Sequence, residues 1–529
     1  MSEGSRDDTG AEVETASQAS KVKYVPETIS AEDEEKALRA WQELMAELDL
    51  EKSLAVAASE SDSYTTILKE DKKECSIYGV GFEEEANVLR DLEVNNFNHR
   101  KGDKLCEIGS PHIENMDCLH ALSFMRYESD SKVSPSTLRI LLKKLQDLTS
   151  VKRENRVLLG QNSGCEIILA VVQDYARGEI NLDGNEILEG GCMVIANLSY
   201  DTRNKTKFGE LGACNVITDV LRMHVSKAGI VKRACWAIIN LAVSHPPNVQ
   251  KFLTCGALEP LTIMLSKHAD DAGIAQWGCL AIAYLVAAPQ NAAMAHKYST
   301  CKVLVQILCR HRNNAGVIEE ALRAIGALAY ENNDNREEVG RMEDSEGGSM
   351  VDIIESIRRF RDNTEIAYWG CMCLSNLSRE NENNRIVLFS LEIFPCILDV
   401  ISQHFENFAV VDQCLWSLLM FVKYSEYAGI LGSLASEPVV KVLIQYVDNA
   451  GIVERSSKIL TYLTSVTTDN FLDNINVVVN ADSCLETVVT ALQNHQRNTE
   501  HTAALYWIVV LMNNLCNDKP RVIYLLKPI

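Results

Sequence analysis

Four asparagines stand at the same place near the end of apolar, helix-periodic stretches: Asn197, Asn240, Asn376 and Asn514, each followed by a leucine. A side-chain amide carries donor and acceptor together, so a row of amides suits holding the N–H and C=O groups of an extended chain without reading its side chains. Tyr284, Ala327, Met420 and Tyr462 fill the matching position elsewhere, so the row is interrupted. Trp236 lies four residues before Asn240, and Trp416 four before Met420. That is one helical turn, where an indole face can take an apolar stem or a cation. Trp277, Trp369 and Trp507 lie seven residues before the column, a spacing that reads as core packing. The competing reading of each asparagine is a hydrogen bond local to its own helix end.

Catalytic chemistry has no comparable signature. The sequence contains no phosphate-cradling G-x-x-x-x-G-K-[ST], no G-x-S-x-G, no H-E-x-x-H and no dinucleotide-binding glycine fingerprint. Its 11 histidines are scattered, and Cys371 and Cys373, two apart on a helix, point to different faces. No enzymatic activity, cofactor or metal is therefore expected. A net charge of −22 disfavours direct binding of nucleic acid or anionic membrane, which needs clustered Lys and Arg. The local clusters (Lys143, Lys144, Lys152, Arg153 and Arg156; Arg310 and Arg312; Arg358, Arg359 and Arg361) read as solvated helix faces or turns.

The elements that must position these residues show their joints between 231 and 266. An apolar helix runs through Ala234, Trp236, Ala237, Ile239 and Leu241. Pro246 and Pro247 end it, and a short helix follows with Val249, Phe252 and Leu253. Gly256 ends that one, and a third begins at Ala257 with Pro260 in its first turn. The pattern recurs. The helix-closing residues Leu148, Leu198, Leu241, Leu285, Leu328, Leu377, Phe421, Leu463 and Leu515 are 42 to 52 residues apart. A second column, Asn155, Asn204, Asn248, Asn291, Asn335, Asn384 and Asn470 with Tyr427 between the last two, keeps the same beat. A helical unit repeated at that period means an α-solenoid.

The residues Asn248, Gly256, Ala257, Leu258, Leu261 and Leu265, and Asn204, Gly212, Ala213 and Leu221, followed by helices ending in A-x-x-N-L, resemble the armadillo repeat. The resemblance covers roughly residues 135 to 529. It implies an all-α, right-handed α-solenoid of about eight or nine repeats, whose third helices line a concave groove. It also implies a non-enzymatic scaffold or adaptor that takes an extended or helical segment of another protein. The residues expected to hold that segment are Asn197, Trp236, Asn240, Tyr284, Asn376, Trp416, Tyr462 and Asn514. Two alternatives belong to the same superfamily: an importin-like cargo adaptor and a small-GTPase exchange factor or chaperone. Against the first stand the single Trp-x-x-x-Asn pair and an acidic rather than basic N-terminus.

Residues 1–29 are acidic and offer little to bury, so they read as a disordered tail. Residues 30–133 read as an irregular helical cap, beginning with the stripe Leu38, Trp41, Leu44, Met45 and Leu48. The array is expected over 134–529, with polar insertions near 176–186 and 342–350. Its last stretch, PRVIYLLKPI, either closes the array or is the start of a further repeat. No apolar run reaches the ~18 residues of a spanning helix. The beginning lacks a signal-peptide core. Many of the 17 cysteines lie in apolar helices and read as buried free thiols. Cytosol or nucleus is the expected compartment. For the same reason the N-L-S triplets at Asn197 and Asn376 are not read as glycosylation sites.

Overall fold

A computed structural model describes residues 117–127, 133–177, 182–342 and 348–515, apart from positions 466, 469, 482, 497, 499 and 500. The tail 1–29, the stripe 38–48, the heart of the 342–350 insertion and the stretch after 515 lie outside the described residues. So does all of 30–133 except 117–127 and 133. Every described element is a helix, and there is no β-strand among the described residues. Two compact units divide at Cys396 and Ile397, inside the helix Ile393–Gln403.

Each repeat is built as the 231–266 stretch announces. In the first unit Ala228–Ala242 is followed by the short Pro246–Thr254, then Leu258–Lys267, then the next long helix Ala272–Val286. Gly256 takes a left-handed conformation (φ 73°) at the joint, as does Gly212 (φ 86°) in the preceding repeat. The long helices start on N-caps such as Asp271, Asn314 and Asn363, whose side chains accept from backbone N–H groups three residues on. The helix Cys118–Tyr127 packs on Pro135–Val151 and the two helices after it.

The two sequence columns prove to be the two ends of one hydrogen bond. The Nδ2 of Asn204, Asn248, Asn335 and Asn384 donates to the carbonyls of Leu198, Leu241, Leu328 and Leu377, at 3.2, 3.0, 2.8 and 2.9 Å. Those carbonyls belong to the last turn of a helix, where no intrahelical donor remains. The same four amides also bond the preceding repeat, at Arg156, Lys205, Ala292 and Arg336 carbonyls, at 2.8 to 3.1 Å. Each asparagine therefore closes its own helix and ties it to its neighbour. A glycine makes room for it: a Cβ at Gly160, Gly209 or Gly340 would collide with the Oδ1 of Asn204, Asn248 or Asn384. Arg156, Arg336 and Arg385 add buried guanidinium donors at the same helix ends, bonding Thr149, Ala329 and Ser378 carbonyls at 2.8 to 3.0 Å. Arg156 is thus 5% exposed and is no part of a surface cluster.

The second unit departs from the pattern twice. Asn470, placed by period in the column, is instead a left-handed N-cap (φ 62°). Asn474 takes the role, bonding the Leu463 carbonyl at 2.8 Å and filling the space over Gly432. The connection after Leu463 is longer than in other repeats, and the beat of 43 does not register it. The first and second helices are also fused into one 21-residue helix, Ser425–Gln445, with Pro438 inside it. That is the one single helix among the described residues long and apolar enough to cross a membrane. It carries Glu426, Glu437 and Lys441, and 56% of its apolar window is buried.

Candidate interaction face

Within each unit the long third helices lie side by side, and one face of each carries the candidate residues. Asn197, Asn240 and Asn376 are 3–7% exposed, and Tyr284 and Tyr462 are 7% and 5%. Trp236 is 2% exposed and Trp416 is half-buried. All eight candidates lie on third helices; Asn197, Trp236, Asn240, Tyr284 and Asn376 belong to the first unit and the rest to the second.

Three of the four asparagine amides are already engaged. Asn197 Nδ2 donates to the Gln146 carbonyl at 3.2 Å and to Thr149 Oγ1 at 3.1 Å. Asn376 Nδ2 donates to the Gly326 carbonyl at 3.0 Å, and Asn514 Nδ2 to the Thr461 carbonyl at 2.9 Å. Each bond crosses to the third helix of the preceding repeat. These three asparagines close the lengthened repeats, 50, 49 and 52 residues after the preceding column position; Asn240 comes after only 43. Its Nδ2 is buried without a partner. So is the indole N–H of Trp236, one turn earlier on the same helix. Two adjacent buried donors without acceptors are costly, at about 1–3 kcal/mol each.

The tryptophans obey a rule that spacing within one helix does not reveal. The residue four before the column in one repeat meets the residue seven before it in the next. Trp236 packs edge to face on Trp277, ring centres 4.6 Å apart. The Arg323 guanidinium lies 4.0 Å from the centre of the Trp369 ring. In the second unit Arg455 lies 4.8 Å from the Trp416 ring, and Lys458 Nζ 4.9 Å from the Trp507 ring. Tyr462 packs near Trp507, at 5.9 Å. Arg323 is held by Glu320 at 3.1 Å and Glu319 at 3.4 Å; Arg455 is held by Asp412 at 3.2 Å. The arginines and lysine of these pairs are functional candidates that the sequence reading missed. The signal is present in the chain, as a cation at one position and tryptophan at its partner position one repeat away.

Histidines were the other omission. His224, His268, His311 and His495 occupy one register at the end of the second helix. Each donates a ring N–H to a carbonyl of the preceding repeat, at Ala176, Val225, Ala269 and Val447, at 2.8 to 3.0 Å. Tyr446 stands in for histidine, bonding the Phe405 carbonyl at 2.7 Å. Far from scattered, these histidines are joints of the stack. Among the described residues no group of His, Cys, Asp and Glu is arranged to hold a metal ion.

Solved structures share this arrangement. An engineered protein superposes with a TM-score of 0.55 at 14% identity, covering 76% of this chain and 99% of that one. A chain from a structure on the phosphorylation-controlled interaction between cadherin and β-catenin superposes at 0.54 and 15% identity, covering 75% and 86%. The fold is that of the armadillo-repeat proteins. By sequence, this chain is similar to Rap1 GTPase-GDP dissociation stimulator 1-B of Xenopus laevis, 24% identical over 201 residues. It is also similar to the 1-A form from the same organism, 30% identical over 116 residues. The matches take in 37% and 21% of this chain, and 32% and 18% of those proteins. No family model matches the chain.

Proposed function

We propose that this chain is a non-enzymatic protein-binding scaffold, that its third-helix face is the working surface, and that its partner is a small GTPase. The sequence match to two Rap1 GTPase-GDP dissociation stimulators carries the choice of partner. Within the face, the joint between Ala228–Ala242 and Ala272–Val286 is the entry point. Among the described residues, of Asn197, Asn240, Asn376 and Asn514 only Asn240 keeps an unmatched amide N–H, next to an unmatched indole N–H. Both groups are donors sealed from solvent in the free chain, so a partner that opens this joint would meet them with carbonyl or carboxylate oxygens. Asn197, Asn376 and Asn514 hold the stack together instead. The chain works in a reducing compartment, cytosol or nucleus, where its fourteen described cysteines stay free thiols.

The deciding experiment follows release of fluorescent GDP from purified Rap1 with and without the full chain. Faster release, reduced by Asn240→Ala and unchanged by Lys302→Ala, an exposed residue of the second helix Thr300–Arg310, is the expected result. No binding and no change in release would sink the GTPase reading.

A further inference from the structure

Every described tryptophan is already occupied by the chain itself. Trp369, Trp416 and Trp507 each carry a cation of an adjoining repeat on the ring, and Trp236 and Trp277 are closed against each other. We propose that Arg323, Arg455 and Lys458 are specificity-determining residues of the third-helix face, holding in cis the indole faces that would otherwise take up Lys or Arg stems of a basic segment. The inference rests on reading that face as the binding surface. It adds what the surface refuses: segments rich in lysine and arginine.

Three features make the occupancy more than chance proximity. It recurs at the same two register positions in both units, once with the cation four before the column and tryptophan seven before (Arg323 with Trp369), once reversed (Arg455 with Trp416), and again in the first sense (Lys458 with Trp507). Arg323 and Arg455 are 7% and 9% exposed. Carboxylates fix them over the rings: Glu319 and Glu320 for Arg323, Asp412 for Arg455. A cation that is desolvated, paired and stacked is not displaced by a second cation of equal charge, which would have to break the ion pair to enter. The net charge of −22 makes such a device useful, because an acidic chain attracts basic segments at long range and needs a short-range means of turning them away.

The test uses a fluorescein-labelled (Lys-Arg)4 peptide and the full chain at physiological salt, read by anisotropy. The native chain is expected to show weak, salt-sensitive binding alone. Arg455→Gln and Lys458→Gln should each tighten binding about tenfold, the size of one desolvated cation–π contact. Lys458→Gln with Trp507→Leu should lose the gain. Arg323→Gln extends the test to the first unit. Lys458 is half-buried, so its variant keeps the assay valid should a buried arginine prove necessary for folding, as circular dichroism will report. Equal binding by native chain and variants overturns the proposal, and so does a gain that survives loss of the indole. The outcome with Rap1 is scored apart, since peptide uptake is measured directly.

Discussion

Asn384 sits between two carbonyls of different repeats and satisfies both. Replacing it with alanine leaves both unmatched in a buried site, and Asn384→Ala should cost about 1–3 kcal/mol. Asn240→Ala removes a donor that has no partner, and should cost about 1 kcal/mol or less. Amide hydrogen exchange, compared helix by helix, checks both, since repeat arrays need not unfold in one step. If Asn240→Ala loosens its repeat as much as Asn384→Ala does, the amide is structural and the entry-point argument fails. His245 offers a pH handle at the same scale. Its ring Nδ1 accepts the Asn248 N–H at 3.2 Å and caps Pro246–Thr254, a role played by Asn332 and Asn381 in later repeats. Burial, then the Lys205 charge, pushes its pKa down. The cap needs the unprotonated nitrogen. Its stabilisation is therefore fully present above the ordinary histidine value of about 6.5. It is lost as pH falls below that value, through the depressed folded one. Protection of the Asn248 and Val249 amides, taken relative to the intrinsic exchange rate at each pH, should fall as pH drops below about 6.5, and His245→Asn should abolish that pH dependence.

Helices of this chain are legible from sequence where both the signal and the partner lie close together. Apolar period, Pro246, Gly256 and the leucine column set the helices and joints of the repeat, because each acts within a few residues of itself. The asparagine column was legible as a column, and its cause was not, since the preceding repeat supplies half of its bonds. Asn470 misled because period alone cannot see a lengthened connection before Asn474. The cation–tryptophan pairs escaped for the same reason as the histidine joints: both cross from one repeat to the next, and reading each helix alone separates the partners. Glycines test the joint from its other side. Gly340→Ala should push Asn384 out of its place and destabilise by about 1–3 kcal/mol, as losing the asparagine would. Combined with Asn384→Ala it should cost clearly less than the sum, a coupling that a double-mutant cycle measures. Full additivity would mean that the glycine serves only its own helix.

Over the molecule as a whole, a solenoid buries its interior repeat by repeat, and the thiols report that burial. Of the fourteen described cysteines twelve are buried, while Cys255 and Cys309 are half-buried. Burial pushes Cys165, Cys192, Cys214 and Cys484 up to about 12, so almost none of their thiolate exists at neutral pH. Thiol labelling of the native chain followed by peptide mapping should mark Cys255 and Cys309 early, and the other twelve only on unfolding. Early labelling of Cys192 or Cys235 would contradict the packing of the third helices. The two sets of side-chain ties between repeats have a mechanical side as well. Asparagines fasten the C-terminal end of a third helix, and histidines fasten the second-helix end that leads into its start. In a 15-residue helix such as Ala228–Ala242 those ends are about 22 Å apart. A plate fastened along one edge peels; a plate fastened along two must shear. Under tension applied along the stack, neighbouring repeats should part abruptly and one at a time, each giving its own force peak, rather than unrolling smoothly.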